Sequence, residues 1–448
     1  MFIGIRGIFS RKKDKPLRIF IGYSEISSFC FSLSSSLQAL GQKAHFCDLL
    51  YNKYYPVGKL TIIERALRKI LNTPKKNNRV VRFIQRHKKR ILLRLLFDQM
   101  KLNYDAFIFI GTYSPFALDE RKLLRSERKR IISVFLGSDS RPIYLNAVYL
   151  DKYGTDYTGF AKAIKNQFET IKNIENGSDI VVCHALSAHF LSRSFIRFLA
   201  LGFPKVIDKN LIKEYGEKIN TLSDLVPSKE KPFRILHAPS QPKYKGSGKI
   251  SQIVMEMKAE GYFFELEIIT GRPNKDVIHA IQNCDLVIDE LYSDTPLAGF
   301  ALEAGQLAKL PIVGSYAKEL DFFGDYLPPS MFIHPDKLKE TLQNLYLKKS
   351  IVYERGRVLK EYINKEWDPL TVAARYLNLI NGSAELKWYS SPYEIRYVHG
   401  WGIEEKDLLR KLKALIEHVG IESLCLGGKP ELEKSILEFI GVSTESTA

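Results

Sequence analysis

The chain has 448 residues, more than the roughly 250–300 residues that one hydrophobic core can organise, so at least two domains are expected. Hydrophobic residues make up 45% of the chain and aromatic residues 12%, which excludes a disordered or a collagen-like protein. The net charge of +17 predicts a polyanionic partner: a nucleic acid, an anionic membrane or a phosphorylated ligand.

The cysteines and the first residues indicate the compartment. The five cysteines form no CxxC pair, so we expect no disulfide framework and no cysteine zinc site, and a reducing compartment is favoured. The apolar stretch at the N-terminus precedes its charge cluster, whereas a secretory signal carries its charge first. No stretch reaches the 18 apolar residues typical of a membrane span. We therefore expect a cytoplasmic protein, which leaves docking on a membrane surface open.

The first half alternates strands and helices. A helix is predicted over residues 27–40, among near-continuous apolar runs that predict strands at 17–23, 43–48, 104–111, 129–137 and 179–183. Because such runs are apolar on both faces, they favour a parallel sheet covered by helices on both sides.

The basic charge is concentrated between Lys59 and Lys101. This segment holds 14 Lys and Arg residues but only two acids, Glu64 and Asp98, so it carries 12 of the 17 excess charges. Its apolar residues recur at helical spacing, which predicts two amphipathic helices on either side of a break at Pro74. The pattern fits the headgroup region of an anionic membrane, or two surface helices whose apolar side packs on the domain core with the solvated charges outside. We expect membrane binding through six residues: Arg82, Arg86, Lys88, Lys89, Arg90 and Arg94. Nucleic acid is disfavoured, because no aromatic-interleaved basic motif accompanies the charge.

A second α/β series follows a polar stretch at residues 220–231. Strands are predicted at 233–237, 264–270, 285–289 and 310–314, with helices at 249–260, 273–283 and 297–308 between them. Further helices are predicted from 352 to 380, broken at Trp367–Pro369, and over most of 384–448. The predicted fold is α/β, with two doubly wound Rossmann-like domains facing a cleft and a C-terminal helical extension. The predicted boundaries are 1–225, 226–350, 351–383 for helices crossing back to the first domain, and 384–448 for the extension.

Two stretches of the second series carry candidate binding residues. The sequence HAPSQPKYKG lies between a strand and a helix, so Lys243, Lys245 and Gly246 could bind phosphate at a helix N-terminus, although a solvated loop also fits. Glu303, within GFALEAGQLAKLPIVG, could accept hydrogen bonds from both hydroxyls of a ribose. An acid favoured by the helix dipole is the alternative.

Together these stretches resemble the donor half of GT-B glycosyltransferases, of the glycosyltransferase family 4 type that builds bacterial polysaccharides and glycolipids. The run FALEAGQLAKLPIV is similar to the second part of that family's E-x7-E motif, and FLGSDSR, ending at Arg141, resembles its HGSD-x-R loop. The resemblance covers roughly residues 17–380.

The resemblance implies a role for each matching residue. Lys245, helped by Lys243, would hold the donor diphosphate, and Glu303 would bind the nucleotide ribose. Asp139 and Arg141 would be the catalytic residues on the acceptor side of the cleft. The remaining donor-side residues would be Gly246, Gly271, Arg272, Asp294, Thr295, Gly299 and Phe300. No metal or other cofactor is expected, because no DxD-type acid pair is evident and the two lysines can neutralise the leaving group.

The sequence differs from the family pattern at two positions that could affect activity. The first Glu of E-x7-E is replaced by Thr295, and neighbouring Asp294 could substitute for it only with a shift in register. The turn after the first strand contains Gly22 without the usual second glycine.

The resemblance implies a glycosyltransferase that uses a nucleotide-diphosphate sugar, with retention at the anomeric carbon. The basic helices suggest a lipid-linked or polysaccharide acceptor, with the protein on the inner face of the plasma membrane. The alternatives are a non-catalytic or divergent GT-B protein that binds a nucleotide sugar, and a nucleotide-sugar epimerase. For the extension we expect a packing role.

Overall fold

The computed structural model describes residues 15–50, 59–73, 78–117, 119–205, 207, 227–317 and 320–442. Its strands are β1 (Arg18–Tyr23), β2 (Lys43–Asp48), β3 (Ala106–Ile110), β4 (Arg130–Val134), β5 (Ile180–Cys183), β6 (Phe195–Arg197), β7 (Phe233–His237), β8 (Phe264–Ile268), β9 (Leu286–Ile288), β10 (Leu310–Gly314), β11 (Met331–Ile333) and β12 (Tyr389–Ser390). In the first domain the helices are α1 (Phe29–Ala39), α2 (Ile62–Leu71), α3 (Arg79–Asn103), α4 (Asp119–Ser126), α5 (Ala147–Tyr153), α6 (Tyr157–Asn176) and α7 (Phe198–Leu201). The later helices are α8 (Ser247–Ala259), α9 (Asn274–Asn283), α10 (Gly299–Gln306), α11 (Leu338–Leu347), α12 (Lys349–Glu366), α13 (Pro369–Ile380), α14 (Glu405–Val419) and α15 (Pro430–Phe439).

The strands form two sheets with the same core order. The first runs β2-β1-β3-β4-β5-β6-β12, parallel except for β12, and the second runs β8-β7-β9-β10-β11, all parallel. Central strands are apolar on both faces, and Ile19, Phe20 and Ile21 in β1 are all fully buried, because helices cover both sides. In each sheet the first strand lies between the second and the third, so the crossovers diverge at β1/β3 and at β7/β9. The predicted fold class, two doubly wound Rossmann-like domains with a C-terminal extension, is confirmed.

Two consecutive helices link the domains. α12 packs against α10 in the second domain, and α13 packs against α1 in the first. The break between them lies where it was predicted, because Asp368 caps α13 through the backbone amides of Leu370 and Thr371, and Pro369 occupies the first helical position.

The extension differs from its prediction in one part. Helix was predicted over most of 384–448, but residues 384–404 contain only two one-turn 3-10 helices and β12, and α14 and α15 follow them. Strand β12 pairs antiparallel with β6, so the extension adds an edge strand to the first sheet. Gly400 and Gly402 occur in this irregular stretch, and Gly402 has a φ of 75°, which helical residues do not adopt.

The five cysteines are all free, and Cys30, Cys47, Cys183 and Cys284 are buried. Among the described residues, no helix is both long and apolar enough to cross a membrane.

Candidate functional site

The carboxyl ends of both parallel sheets carry the polar side chains of the candidate site. In doubly wound sheets, ligands bind beyond these ends, where neighbouring crossovers diverge. Gly111 follows β3 at the first divergence, and Asp289 and Glu290 follow β9 at the second. Ion pairs between the two domains connect these edges.

Arg141 and Asp294 form the first of these pairs. The guanidinium Nε lies 2.6 Å from Asp294 Oδ2, and a second nitrogen bonds the other oxygen, so the pair is bidentate. Both side chains are at most 4% exposed. Burial opposes ionisation of both groups, yet their mutual attraction raises the pKa of Arg141 and lowers the pKa of Asp294. Asp294 is thereby committed to Arg141, while Thr295 donates to Asp294 Oδ1 at 3.3 Å.

Asp139 lies in the same loop as Arg141 but has a different environment. Its Oδ2 accepts a hydrogen bond from the Leu136 amide at 3.1 Å. A Cβ on Gly111, where φ is 69°, would lie 3.3 Å from this oxygen, so the glycine permits the close approach. Its Oδ1 has no hydrogen-bond partner among the described residues. Burial raises the pKa of Asp139 to about 6, so this carboxyl can hold or release a proton near neutral pH.

Lys245 is surrounded by carboxylates. Its Nζ lies 3.1 Å from Asp289 Oδ1 and 3.3 Å from Glu290 Oε2. Burial lowers the pKa of Lys245, but the two carboxylates outweigh it, and the pKa is raised. Burial also raises the pKa of Glu290, which accepts a hydrogen bond from Ser293. A diphosphate bound at Lys245 would therefore share the lysine with two acids.

Lys243 and Gly246 have separate roles in the same loop. Lys243 is largely exposed and pairs at 2.5 Å with Asp151 on α5, across to the first domain. Gly246 precedes α8 with a φ of 78°, and a Cβ there would lie 2.6 Å from the Cβ of Leu291. Only glycine fits this position, which brings the start of α8 close to the strand end of β9.

Glu303 forms a second buried pair between the domains. Its Oε1 lies 2.6 Å from the Nζ of Lys205 and accepts a hydrogen bond from Asn274 Nδ2 at 2.8 Å. Gly299 and Phe300 open the first turn of α10, whose free amides form a positive dipole end. A Cβ on Gly299 would lie 3.9 Å from the Nζ of Lys205, so this lysine stands beside the helix N-terminus.

Gly271 and Arg272 lie apart from the buried pairs. Arg272 is exposed and lines a groove along α9 with Asp276 and His279. Asn274, at the start of α9, donates a hydrogen bond to Glu303.

Three features of the site were not anticipated. Lys205 occurs in an ordinary loop, and no sequence signal marks it. His184 follows β5 at a carboxyl end, so the strand-end rule could have identified it; burial lowers its pKa to about 4. Trp401, from the extension, donates its indole N–H to Glu290 Oε2 at 3.2 Å. Among the described residues, no cluster of three or more His, Cys, Asp or Glu is arranged to hold a metal ion.

The basic segment forms α2 and α3, and residues 74–77 of the predicted break lie outside the described residues. α2 begins with a capping box of Thr61 and Glu64. In α3 only Leu96 and Met100 are buried, near its C-terminal end. Five of its earlier apolar residues are exposed to between 45% and 65%: Val80, Phe83, Ile84, Ile91 and Leu95. They alternate with the six predicted membrane-binding residues, of which all but Lys89 are exposed. In this half of α3 the alternative, a helix whose apolar side packs on the domain core, fits only Leu92 and Leu93, which are partly buried against it.

Comparisons with known proteins gave structural similarities only. No family model matches the sequence, and no curated protein matches it. The chain is similar to the glycosyltransferase SnogD from Streptomyces nogalater, with 13% identity over 82% of this chain and 100% of that one (TM-score 0.38). It is also similar to Anabaena Alr3699/HepE in complex with UDP and glucose, with 12% identity over 81% and 99% (TM-score 0.45). A third similarity is to a putative UDP-N-acetylglucosamine 2-epimerase from Listeria monocytogenes, with 10% identity over 82% and 96% (TM-score 0.42).

Proposed function

We propose that the chain is a glycosyltransferase that moves a sugar from a nucleotide-diphosphate sugar to an acceptor at the membrane surface. One observation carries the proposal: the carboxyl ends of both sheets meet at a buried polar cluster with a titratable acid and a helix N-terminus beside a lysine. Transfer of a group from a diphosphate leaves negative charge on the leaving group, and fixed charges held away from water stabilise that charge. In GT-B enzymes of family 4 type, which the sequence resembles, the second domain binds the donor and the first domain binds the acceptor.

In this proposal the second domain binds the donor. The Glu303 carboxylate accepts hydrogen bonds from the ribose hydroxyls once the Lys205 side chain turns from it to the diphosphate. The diphosphate lies at the α10 N-terminus, where Gly299 and Phe300 supply backbone amides. Lys245 neutralises the leaving diphosphate from the other side. The bond between the anomeric carbon and the diphosphate oxygen breaks, and a bond to an acceptor oxygen forms. We assign no metal to these steps, and retention at the anomeric carbon is part of the proposal.

The first domain binds the acceptor. Asp139 takes the proton that the acceptor hydroxyl loses, for which a pKa of about 6 is suitable. Arg141 and Asp294 hold the loop of Asp139 against the second domain. Asp294 is engaged by Arg141 and does not contact the donor sugar as the first Glu of the family motif would.

The nucleotide part is tested by thermal unfolding in UDP, GDP, ADP and UDP-glucose. A ligand at about 100 times its Kd stabilises the folded chain by about 2.7 kcal/mol. We expect one nucleotide to stabilise the unaltered chain. Its apparent affinity, taken from the thermal shift, should be at least tenfold lower for Glu303→Gln, since a neutral amide binds the ribose hydroxyls less strongly. Glu433→Gln, an exposed change on α15, is the matched control. Stabilisation by no nucleotide, or equal stabilisation of Glu303→Gln, contradicts the donor site.

A binding protein without transferase activity is the second candidate. It is favoured by the ion-paired Lys245 and by Thr295, which stands where the family has a sugar-binding Glu. Incubation of a radiolabelled donor with a membrane lipid extract separates the two. The transferase moves label into the lipid fraction and Asp139→Asn does not, whereas nucleotide binding without transfer by the unaltered chain supports the second candidate.

The membrane part of the proposal is supported by α3. Its exposed apolar and basic side chains suit the headgroup boundary of an anionic leaflet, on the cytoplasmic face of the plasma membrane. At about 1 kcal/mol for each basic residue, reversing Arg82, Arg86, Arg90 and Arg94 to Glu removes at least about 4 kcal/mol, or at least about a thousandfold in affinity for anionic vesicles. The control reverses four exposed basic residues of the extension, Lys406, Arg410, Lys413 and Lys434. Equal vesicle binding by both variants would sink the membrane proposal.

A further inference from the structure

The C-terminal extension is anchored on the first domain. Helices α14 and α15 share an apolar core with α6, formed by Leu408, Leu412, Leu415, Leu432 and Ile436 together with Phe160, Ile164, Ile171 and Ile174. The Nζ of Lys429 also donates to the carbonyl of His189 at 2.8 Å. Because detachment would expose this core to water, the extension is held firmly on this side.

Residues 401 and 402 reach across to the second domain. The Trp401 amide donates to Leu145 O at 2.8 Å and its carbonyl accepts from Ala147 N at 3.0 Å, both in the first domain. The next amide, of Gly402, donates to Tyr292 O in the second domain at 3.0 Å. Two adjacent residues of the extension therefore bond the backbones of both domains.

Side chains add to the contact with the second domain. The hydroxyl of Tyr292 donates to Glu404 Oε1 at 2.9 Å, and the indole of Trp401 donates to Glu290. His399 stacks on Tyr316, with ring centroids 5.5 Å apart. These partners follow β9 and β10, so the extension covers the carboxyl edge of the second sheet.

The same residues cover the buried pairs of the candidate site. The guanidinium of Arg141 lies 5.7 Å from the centre of the Trp401 ring. Glu290, which accepts from Trp401, also binds Lys245. A ligand that reaches Lys245 from this side must therefore pass the extension.

We propose that residues 399–404 form a latch that holds the two domains closed and leaves the second domain before a ligand enters the cleft. The latch stays on the first domain when it opens, because its attachment there continues into an apolar core. On the described part of the second domain it contacts a few hydrogen-bond partners, Lys249 through a 4.0 Å ion pair of Glu404, and aromatic rings. Opening thus breaks the contacts of residues 399–404 with the second domain, which are weaker than those with the first. The proposal does not depend on which ligand the cleft binds.

Hydrogen exchange of the full chain, followed by mass spectrometry, tests the latch. Tyr292→Phe removes the hydroxyl bond to Glu404, and Trp401→Phe removes the indole bond to Glu290, while an aromatic ring remains at each position. In the double variant we expect exchange of the Gly402 amide and of residues 290–295 to become about tenfold faster, the factor for two lost hydrogen bonds. Exchange in α14 and α15 should stay unchanged. Tyr389→Phe, an exposed change in β12, is the control.

Two results would overturn the proposal. Equal acceleration in α14, α15 and the latch shows that the extension leaves the first domain as one unit. Unchanged exchange in the double variant shows that these two hydrogen bonds do not hold the two domains together. The single Tyr292→Phe variant, with an expected acceleration of about threefold, gives the same decision if the double variant fails to fold.

Discussion

Replacement of Asp294 by Asn tests the pair that joins the two domains. The guanidinium of Arg141 would remain buried at 4% exposure, with a neutral amide in place of its counter-charge. Removing one partner of a buried ion pair costs about 3–5 kcal/mol, because the remaining charge is left without solvent or partner. We expect Asp294→Asn to lower the free energy of unfolding by that amount at pH 7.

The pH dependence of this loss follows from the pKa of Asp294. Arg141 lowers this pKa below the unfolded value of about 3.9. A carboxyl with a lowered folded pKa contributes its stability above the unfolded pKa and loses it as the pH falls through the folded one. The difference between the unaltered chain and Asp294→Asn should therefore be full at pH 7 and shrink below about pH 4.

Urea unfolding, followed by circular dichroism at pH 7 and at pH 3.5, measures both quantities. Arg141→Met combined with Asp294→Leu removes both charges and should be close to neutral, since apolar residues of similar volume replace buried ion pairs without loss. Asp407→Asn breaks an exposed pair with Arg410 and should change stability by less than about 0.5 kcal/mol. A loss below about 1 kcal/mol for Asp294→Asn at pH 7, or a loss that does not depend on pH, would refute the reasoning.

The remaining predictions concern other parts of the chain. Because burial raises the pKa of Asp139 to about 6, its charge destabilises the fold increasingly from about pH 4 to pH 6; Asp139→Asn should be up to about 3 kcal/mol more stable at pH 8 and unchanged at pH 4 in the same urea assay, and an equal difference at both pH values would contradict this. Gly246→Ala should cost about 1–3 kcal/mol in thermal unfolding because of its positive φ and the contact with Leu291, whereas Gly248→Ala in α8 should be neutral or stabilising by up to about 1 kcal/mol; equal effects would contradict the strain. Burial lowers the pKa of Lys429 to about 8, so its charge opposes folding below pH 8 and this penalty fades up to about pH 10.5. Lys429→Met relieves the penalty but also removes the hydrogen bond to the His189 carbonyl, so the stability of the variant relative to the unaltered chain should be lower at pH 10 than at pH 7, and a difference that does not change with pH would speak against it.

Most of the fold was readable from local patterns. The apolar runs that predicted strands contain β1, β3 and β10 with ends within two residues, because a strand covered on both faces must be apolar throughout. Strands β2 and β7 also match their predicted bounds, although each carries polar residues. The break at Trp367–Pro369 was visible because proline ends a helix. Strands β6, β11 and β12 were missed, since each has only two or three residues and no pattern of its own.

The sequence by itself determined the two α/β series, the basic segment and which residues follow the strand ends. Only the tertiary structure decided how these residues are engaged. Lys245 faces two carboxylates, Glu303 pairs with Lys205 about 100 residues away, and the extension brings Trp401 to Glu290. The reason is physical: strand and helix patterns reflect the burial of near neighbours, whereas the partner of a charged side chain depends on how distant segments pack.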